Sequence, residues 1–215
     1  MKIIAVGCSY TYGQGLLDCH IEPNLPGPVH SKQSWPSLLG SLLEKEVVNL
    51  SQPGYSNLAI LNEILNYDLE INDIVCIMWT FKNRDMKFRL DKNNIKHGRW
   101  DKKWAFFQDP YDLMMKNFIH IHHAKCYLEG LGIKYFFMDI DNFNVFVSWQ
   151  DGQLFSLPEN QLPSWITTLP ILDIDFSELE KNTPLGLDNL HPGPIFHQII
   201  AEILLYKIVN LNLYL

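Results

Sequence analysis

The regular alternation of apolar runs with amphipathic segments most constrains what this chain can fold into. Four runs of strand length, at 1–7, 46–50, 73–79 and 134–140, are apolar on consecutive residues. Such runs are typical of parallel strands whose two faces are both covered. Segments with helical spacing of apolar residues lie between and after them, at about 34–44, 56–65, 114–131 and 194–209. The pattern predicts an α/β fold with a parallel sheet and helices on both faces, and a fifth, edge strand at 171–173.

In parallel sheets of this kind, ligands bind outside the carboxyl ends of the strands. The residues that directly follow each predicted strand are therefore the candidates for function. They include Gly7-Cys8-Ser9 after the first strand, residues 51–57 after the second, residues 80–84 after the third and residues 139–142 after the fourth. The loop that precedes the last helix belongs with them, because it leads back to the same edge.

Three of these residues have the chemistry of a nucleophilic site. Ser9 follows the first strand, and Asp188 and His191 lie three residues apart just before the last helix. A serine hydroxyl is a weak nucleophile until a base removes its proton, and a histidine base needs a third group to fix its tautomer. We predict Ser9 as the nucleophile, His191 as the general base and acid, and Asp188 as the residue that orients His191.

Backbone N–H groups near Ser9 are candidates for an oxyanion hole. The N–H of Ser9 itself and that of Gly54, in the loop after the second strand, are the two that we predict. Glycine suits this position because a missing Cβ allows close approach of substrate to the backbone. A simple type II turn over Pro53-Gly54 is an equally good interpretation of this glycine.

These blocks resemble those of the SGNH (GDSL-type) hydrolase family. Gly7-Cys8-Ser9 is similar to the family's G-D-S block, Gly54 to its oxyanion-hole glycine, and Asp188 and His191 to its D-x-x-H block. The resemblance extends from Gly7 to His191. It implies a flavodoxin-like three-layer α/β/α sandwich, a serine esterase, lipase or carbohydrate deacetylase activity, and the same roles for Ser9, Gly54, Asp188 and His191.

The sequence departs from the family in two places. Cys8 replaces the aspartate of G-D-S, and no G-x-N-D block follows the third strand. Asn83 is the nearest candidate for the family's third oxyanion donor, with Thr80, Lys82 or a missing donor as alternatives. Losing one such donor typically costs about 2.7–4 kcal/mol of transition-state stabilisation.

Composition sets the broader class. The 215 residues are 47% hydrophobic and carry a formal net charge of −7, which argues against nucleic acid or an anionic membrane surface as a partner. No signal peptide or membrane span is evident, and the four scattered cysteines predict free thiols, so we expect a cytoplasmic protein. No metal is assigned to His120, His122 and His123, and the predicted chemistry needs no cofactor.

The resulting hypothesis is a single domain spanning 1–215, with insertions at about 80–109 and 141–187. We expect a serine esterase that hydrolyses an ester, most plausibly a short acyl (acetyl) group on a carbohydrate. The expected partner is a small-molecule or carbohydrate ester substrate. Two alternatives stay open: an acyltransferase with the same triad, and a weak or inactive carbohydrate-binding module. The glycines after the first strand also suggest a third alternative, a flavodoxin-like protein that binds phosphate. This alternative ranks last because it leaves Asp188 and His191 unused.

Overall fold

Strands and helices alternate along the chain in a computed structural model of the protein. The structure describes residues 1–22, 25–82, 84, 88–91, 94–97, 110–141, 148–150, 153–155 and 164–211. In chain order the elements are β1 (Ile3–Val6), α1 (Ser9–Tyr12), β2 (His20–Glu22), β3 (Leu25–Pro26), α2 (Trp35–Leu43), β4 (Val47–Asn49), α3 (Asn57–Asn66), β5 (Ile74–Trp79), β6 (Phe88–Asp91), β7 (Asn94–His97), α4 (Pro110–Gly130), β8 (Lys134–Asp139), β9 (Ser148–Gln150), β10 (Gln153–Phe155), α5 (Ser164–Thr167), α6 (Phe176–Asn182) and α7 (Pro194–Asn210).

The four predicted strands form one parallel sheet in the order β4-β1-β5-β8. Ile4 pairs with Val48 on one side and with Val75 on the other, and β5 continues the parallel pairing to β8. A bridge between Phe137 and Ile171 adds the predicted edge strand as a single residue pair. The order in which strands are added to the sheet reverses direction beside β1, as in doubly wound α/β folds. The predicted flavodoxin-like fold is therefore confirmed.

Each face of the sheet carries its own apolar core. Ile3, Ala5, Cys76 and Met138 point to the face covered by α2 and α7. Ile4, Val6, Val75 and Ile77 point to the other face, which α3 and α4 cover. Both faces being apolar explains why these strands appear in the sequence as continuous apolar runs.

The helix boundaries agree with the predictions to within a few residues, with one difference in capping. Ser56 caps α3, since its hydroxyl accepts a hydrogen bond from the Ala59 N–H at 3.3 Å. Ser34 is the N-cap residue of α2 but makes no capping hydrogen bond. Its hydroxyl instead donates to the Ser31 carbonyl at 2.7 Å, which fixes the loop before α2.

The pattern of apolar residues predicts no helix or strand between the first strand and residue 34, but the segment after β1 contains both. It begins with the single turn of α1, in which the Thr11 and Tyr12 N–H groups donate to the Cys8 carbonyl. A Cβ at Gly7 would collide with the Thr11 side chain, so this tight entry requires glycine. The short hairpin of β2 and β3 follows.

Two further hairpins, β6–β7 and β9–β10, and the helices α5 and α6 lie in the stretches predicted as insertions. A single domain over 1–215 stays a prediction. All four cysteines are free, as expected. Within the described ranges, no helix combines the length and apolarity that crossing a membrane requires.

Candidate active site

Asp188 and His191 form a hydrogen-bonded pair in the loop before α7. Asp188 Oδ2 lies 2.6 Å from His191 Nδ1, and Asp188 Oδ1 accepts the N–H groups of Leu190 and His191 at 3.0 Å each. Burial raises the pKa of the Asp188 carboxyl, but these hydrogen bonds outweigh burial and lower it below its ordinary value. Asp188 therefore holds the imidazole by Nδ1, which leaves Nε2 as the nitrogen available to a substrate.

The loop that carries this pair is closed on itself by backbone hydrogen bonds. The Gly186 N–H donates to the His191 carbonyl at 2.7 Å, and the Gly193 N–H donates to Pro184 at 3.0 Å. Asn189 adopts a left-handed conformation with φ of 55°, which small polar residues tolerate best. The turn so formed presents the aspartate and the histidine three residues later on the same side.

Ser9 lies at the start of α1, at the carboxyl end of β1, and is only 3% exposed. Its hydroxyl contacts Cys8 Sγ at 4.0 Å. Among the described residues, no hydrogen bond joins the Ser9 hydroxyl to the His191 ring. Cys8 itself belongs to the apolar core.

Two contacts bring the Ser9 segment against the loop of Asp188 and His191. The ring of Tyr10, next to Ser9, packs edge-on against the His191 ring with centroids 5.9 Å apart. A few residues later, the Gly15 carbonyl accepts the Leu187 N–H at 2.8 Å. The structure thus brings the predicted nucleophile, base and orienting carboxylate to one sheet edge, with the hydrogen bond from Ser9 to His191 unformed.

Gly54 lies in a turn over Gln52–Tyr55, where the Tyr55 N–H donates to the Gln52 carbonyl at 3.3 Å. Its φ of 81° fits the third residue of a type II turn, so the turn interpretation is confirmed. A Cβ added to Gly54 would meet nothing within 4 Å, so the space beside it is open. In the described part of the chain, the Gly54 N–H has no acceptor, which leaves it available to a ligand.

Three residues after β5 are the candidates for the third oxyanion donor. Asn83 lies outside the described residues. Lys82 Nζ is 3.9 Å from Asp139 Oδ2 and donates to the main-chain carbonyl of Asp141 at 3.4 Å, so its charge is directed at the end of β8. Thr80 is buried and its hydroxyl accepts a hydrogen bond from Arg84 Nη1 at 3.0 Å.

Arg84 and Glu180 are residues of this site that sequence reasoning missed. The Arg84 guanidinium lies 4.7 Å from the centre of the Phe81 ring, which in turn contacts Tyr10 edge-on at 6.1 Å. Burial and the Glu180 carboxylate raise the pKa of Tyr10, and the charge of Arg84 opposes this. Arg84 lies four residues after Thr80, close behind the third predicted strand, and this position could have indicated that it belongs to the site. Nothing in the sequence around Glu180 points to the site.

An acidic pair, Asp139 and Asp141, lies at the carboxyl end of β8. Asp139 is 3% exposed, and burial raises its pKa to about 7 against the opposing charge of Lys82. The Asp141 N–H donates to Asp139 Oδ1 at 3.2 Å, while Asp139 Oδ2 has no hydrogen-bond partner. Within the described residues, no three His, Cys, Asp or Glu side chains are grouped closely enough to hold a metal ion.

Solved structures of esterases share this fold. The chain resembles a carbohydrate esterase whose active site has divergent catalytic and non-catalytic binding functions, with a TM-score of 0.57 and 14% identity. It also resembles the acetyl xylan esterase Est2A from the rumen bacterium Butyrivibrio proteoclasticus, with a TM-score of 0.56 and 13% identity. Both alignments cover 100% of this chain, which spans only 66% and 65% of the two esterases.

A third structure, TesA, matches at a TM-score of 0.52 and 15% identity, over 98% of this chain and 99% of that chain. At these identities the comparisons establish the fold. No protein-family model matches the sequence, and no curated protein matches it. The resemblance to SGNH hydrolases is confirmed as a likeness of fold.

Proposed function

We propose that this chain is a serine ester hydrolase of the SGNH type. Its proposed substrate is a carbohydrate that carries a short acyl group, acetyl, as an ester. The observation that carries the proposal is the hydrogen bond of 2.6 Å between His191 and Asp188, in a loop that contacts the Ser9 segment. The fold shared with carbohydrate esterases, one of them an acetyl xylan esterase, supports the substrate class.

The reaction follows from the roles of the three side chains. Ser9 Oγ attacks the ester carbonyl while His191 Nε2 takes its proton, and Asp188 stabilises the imidazolium that forms. The tetrahedral intermediate then expels the alcohol, which receives that proton, and leaves an acyl group on Ser9. Water activated by His191 releases the acid and restores the hydroxyl.

The N–H groups of Ser9 and Gly54 are the proposed oxyanion donors, with Asn83 as the third. A preorganised donor of this kind acts on charge that develops only in the transition state. Arg84 adds a positive charge close to Tyr10, and we propose that it supports the third donor. We propose that the hydrogen bond between Ser9 and His191 forms when substrate binds, since catalytic hydrogen bonds often tighten only in that complex.

The experiment that tests this proposal combines labelling with turnover. A fluorophosphonate probe should attach to the wild-type protein and not to Ser9→Ala, and hydrolysis of p-nitrophenyl acetate should be lost in the same variant. Retention of either by a folded Ser9→Ala protein, or an unlabelled and inactive wild type, would overturn the proposal. An added alcohol acceptor separates hydrolysis from acyl transfer by the product formed.

A further inference from the structure

Glu180 is a carboxylate beside the candidate triad with one oxygen left without a partner. It lies on α6, which packs through Phe176 against Phe196 of α7 with ring centroids 5.9 Å apart. Glu180 Oε1 is buried and has no hydrogen-bond partner. Buried carboxylate oxygens are almost always satisfied, so an exception of this kind points to a missing donor.

The surroundings of Glu180 place it near His191. The Phe196 ring contacts the Tyr10 ring at 6.1 Å, and Tyr10 contacts the His191 ring at 5.9 Å. Burial and the Glu180 carboxylate raise the pKa of Tyr10, and burial raises the pKa of Glu180 against the opposing effects of the Tyr10 hydroxyl and the charge of His191. Tyr10 therefore connects Glu180 to both the nucleophile, its neighbour in sequence, and the base.

The chemistry of a carboxylate limits what fits against Glu180. An ionised carboxylate only accepts hydrogen bonds, so its partner must be a donor. In the proposed reaction, His191 Nε2 returns the proton to the leaving oxygen, so groups near His191 face the alcohol part of the ester. The donor expected there is a hydroxyl of that alcohol.

We propose that Glu180 accepts a hydrogen bond from a free hydroxyl adjacent to the ester in a polyol substrate and so selects partly acylated sugars over esters of simple alcohols. This inference rests on the proposed function and assigns its specificity to one side chain. Selection arises because an ester without that hydroxyl leaves the Glu180 oxygen unsatisfied in the complex.

The test compares two acetyl esters on the same protein. One is methyl xyloside with a single O-acetyl group and a free neighbouring hydroxyl, and the other is p-nitrophenyl acetate, whose alcohol part has none. In Glu180→Ala, the ratio of kcat/KM for the xyloside to kcat/KM for p-nitrophenyl acetate should fall by roughly 10- to 100-fold, the usual range for a hydrogen bond to a charged group. Glu180→Gln keeps an acceptor oxygen and should recover part of that ratio.

Glu178→Gln is the matched control. Glu178 is on the same helix, and its side chain is 63% exposed, so this variant should keep the wild-type ratio. An unchanged ratio in Glu180→Ala, or an equal fall for both esters, would overturn the inference while leaving the esterase proposal intact. A wild type that hydrolyses neither ester, and that the probe does not label, would instead remove the proposed function.

Discussion

Gly15 lies directly against the carboxylate of Asp188. A Cβ added to Gly15 would lie 2.8 Å from Asp188 Oδ1 and 3.0 Å from its Cγ, and the φ of Gly15 is 88°. The segment that follows Ser9, the candidate nucleophile, therefore limits where the carboxylate of Asp188 can lie. No motif of the sequence connects these two residues, which are far apart along the chain.

Gly15→Ala should consequently disturb the site. We expect kcat/KM for p-nitrophenyl acetate to fall at least about tenfold, because the added methyl displaces Asp188 from His191, and displacement of a positioning group by about 1 Å is costly. Gly130→Ala is the control, since a Cβ there would meet nothing within 4 Å. Equal activities of the two variants would contradict the role given to Gly15.

Asp188→Asn should reduce kcat strongly and leave the fold intact. The introduced amide keeps the size of the side chain but no longer stabilises the imidazolium or fixes the Nδ1–H tautomer, and a loss of about 10⁴ in kcat is the precedent for such a change. Steady-state kinetics, with thermal melting as the check on folding, measure it. A loss below about tenfold would show that Asp188 does not orient the base.

Gly54→Ala and Gly132→Ala separate backbone strain from catalysis. Both glycines have a positive φ, which is 81° at Gly54 and 70° at Gly132. A Cβ added to Gly54 would meet nothing within 4 Å, and the atom nearest to a Cβ added to Gly132 would be 3.9 Å away. Each alanine should therefore cost a similar stability of about 1 kcal/mol. Only Gly54→Ala should lower kcat/KM, because the added Cβ would occupy the open space through which a substrate approaches the Gly54 N–H, the proposed oxyanion donor. Equal activities would remove Gly54 from the site.

Asp139 should make stability fall as pH rises. Burial raises its folded-state pKa to about 7, above the unfolded value of about 3.9. The folded state then binds more protons than the unfolded state between these values, so the contribution of Asp139 is full below about pH 4 and is lost as pH rises through about 7.

Asp139→Asn removes this dependence. Relative to the wild type, its Tm should rise between about pH 5 and pH 8 by roughly 6–12 °C, as expected for a change of about 3 kcal/mol in a chain of this size. Asp173→Asn, at an exposed aspartate, is the comparison and should follow the wild type. Parallel Tm curves for wild type and Asp139→Asn would contradict the assigned cause.

The sheet could be predicted because its strands are apolar on both faces and α2, α3, α4 and α7 have long apolar stripes. The topology then placed Ser9, Gly54 and the loop of Asp188 and His191 at one edge. The turn α1 was missed since its single turn is too short to show periodicity. Contacts such as Tyr10 with Glu180 depend on tertiary packing between distant segments, and no local pattern encodes them.

Asn57 forms two hydrogen bonds with the main chain of Thr80: it accepts the Thr80 N–H at 2.7 Å and donates to the Thr80 carbonyl at 3.0 Å. Its side chain thus replaces an adjacent strand at the point where β5 has extended beyond β1. Both residues are buried, so a side chain of α3 holds the end of β5 in place. The loops around this sheet edge can then change in sequence over evolutionary time while the end of β5 keeps its position.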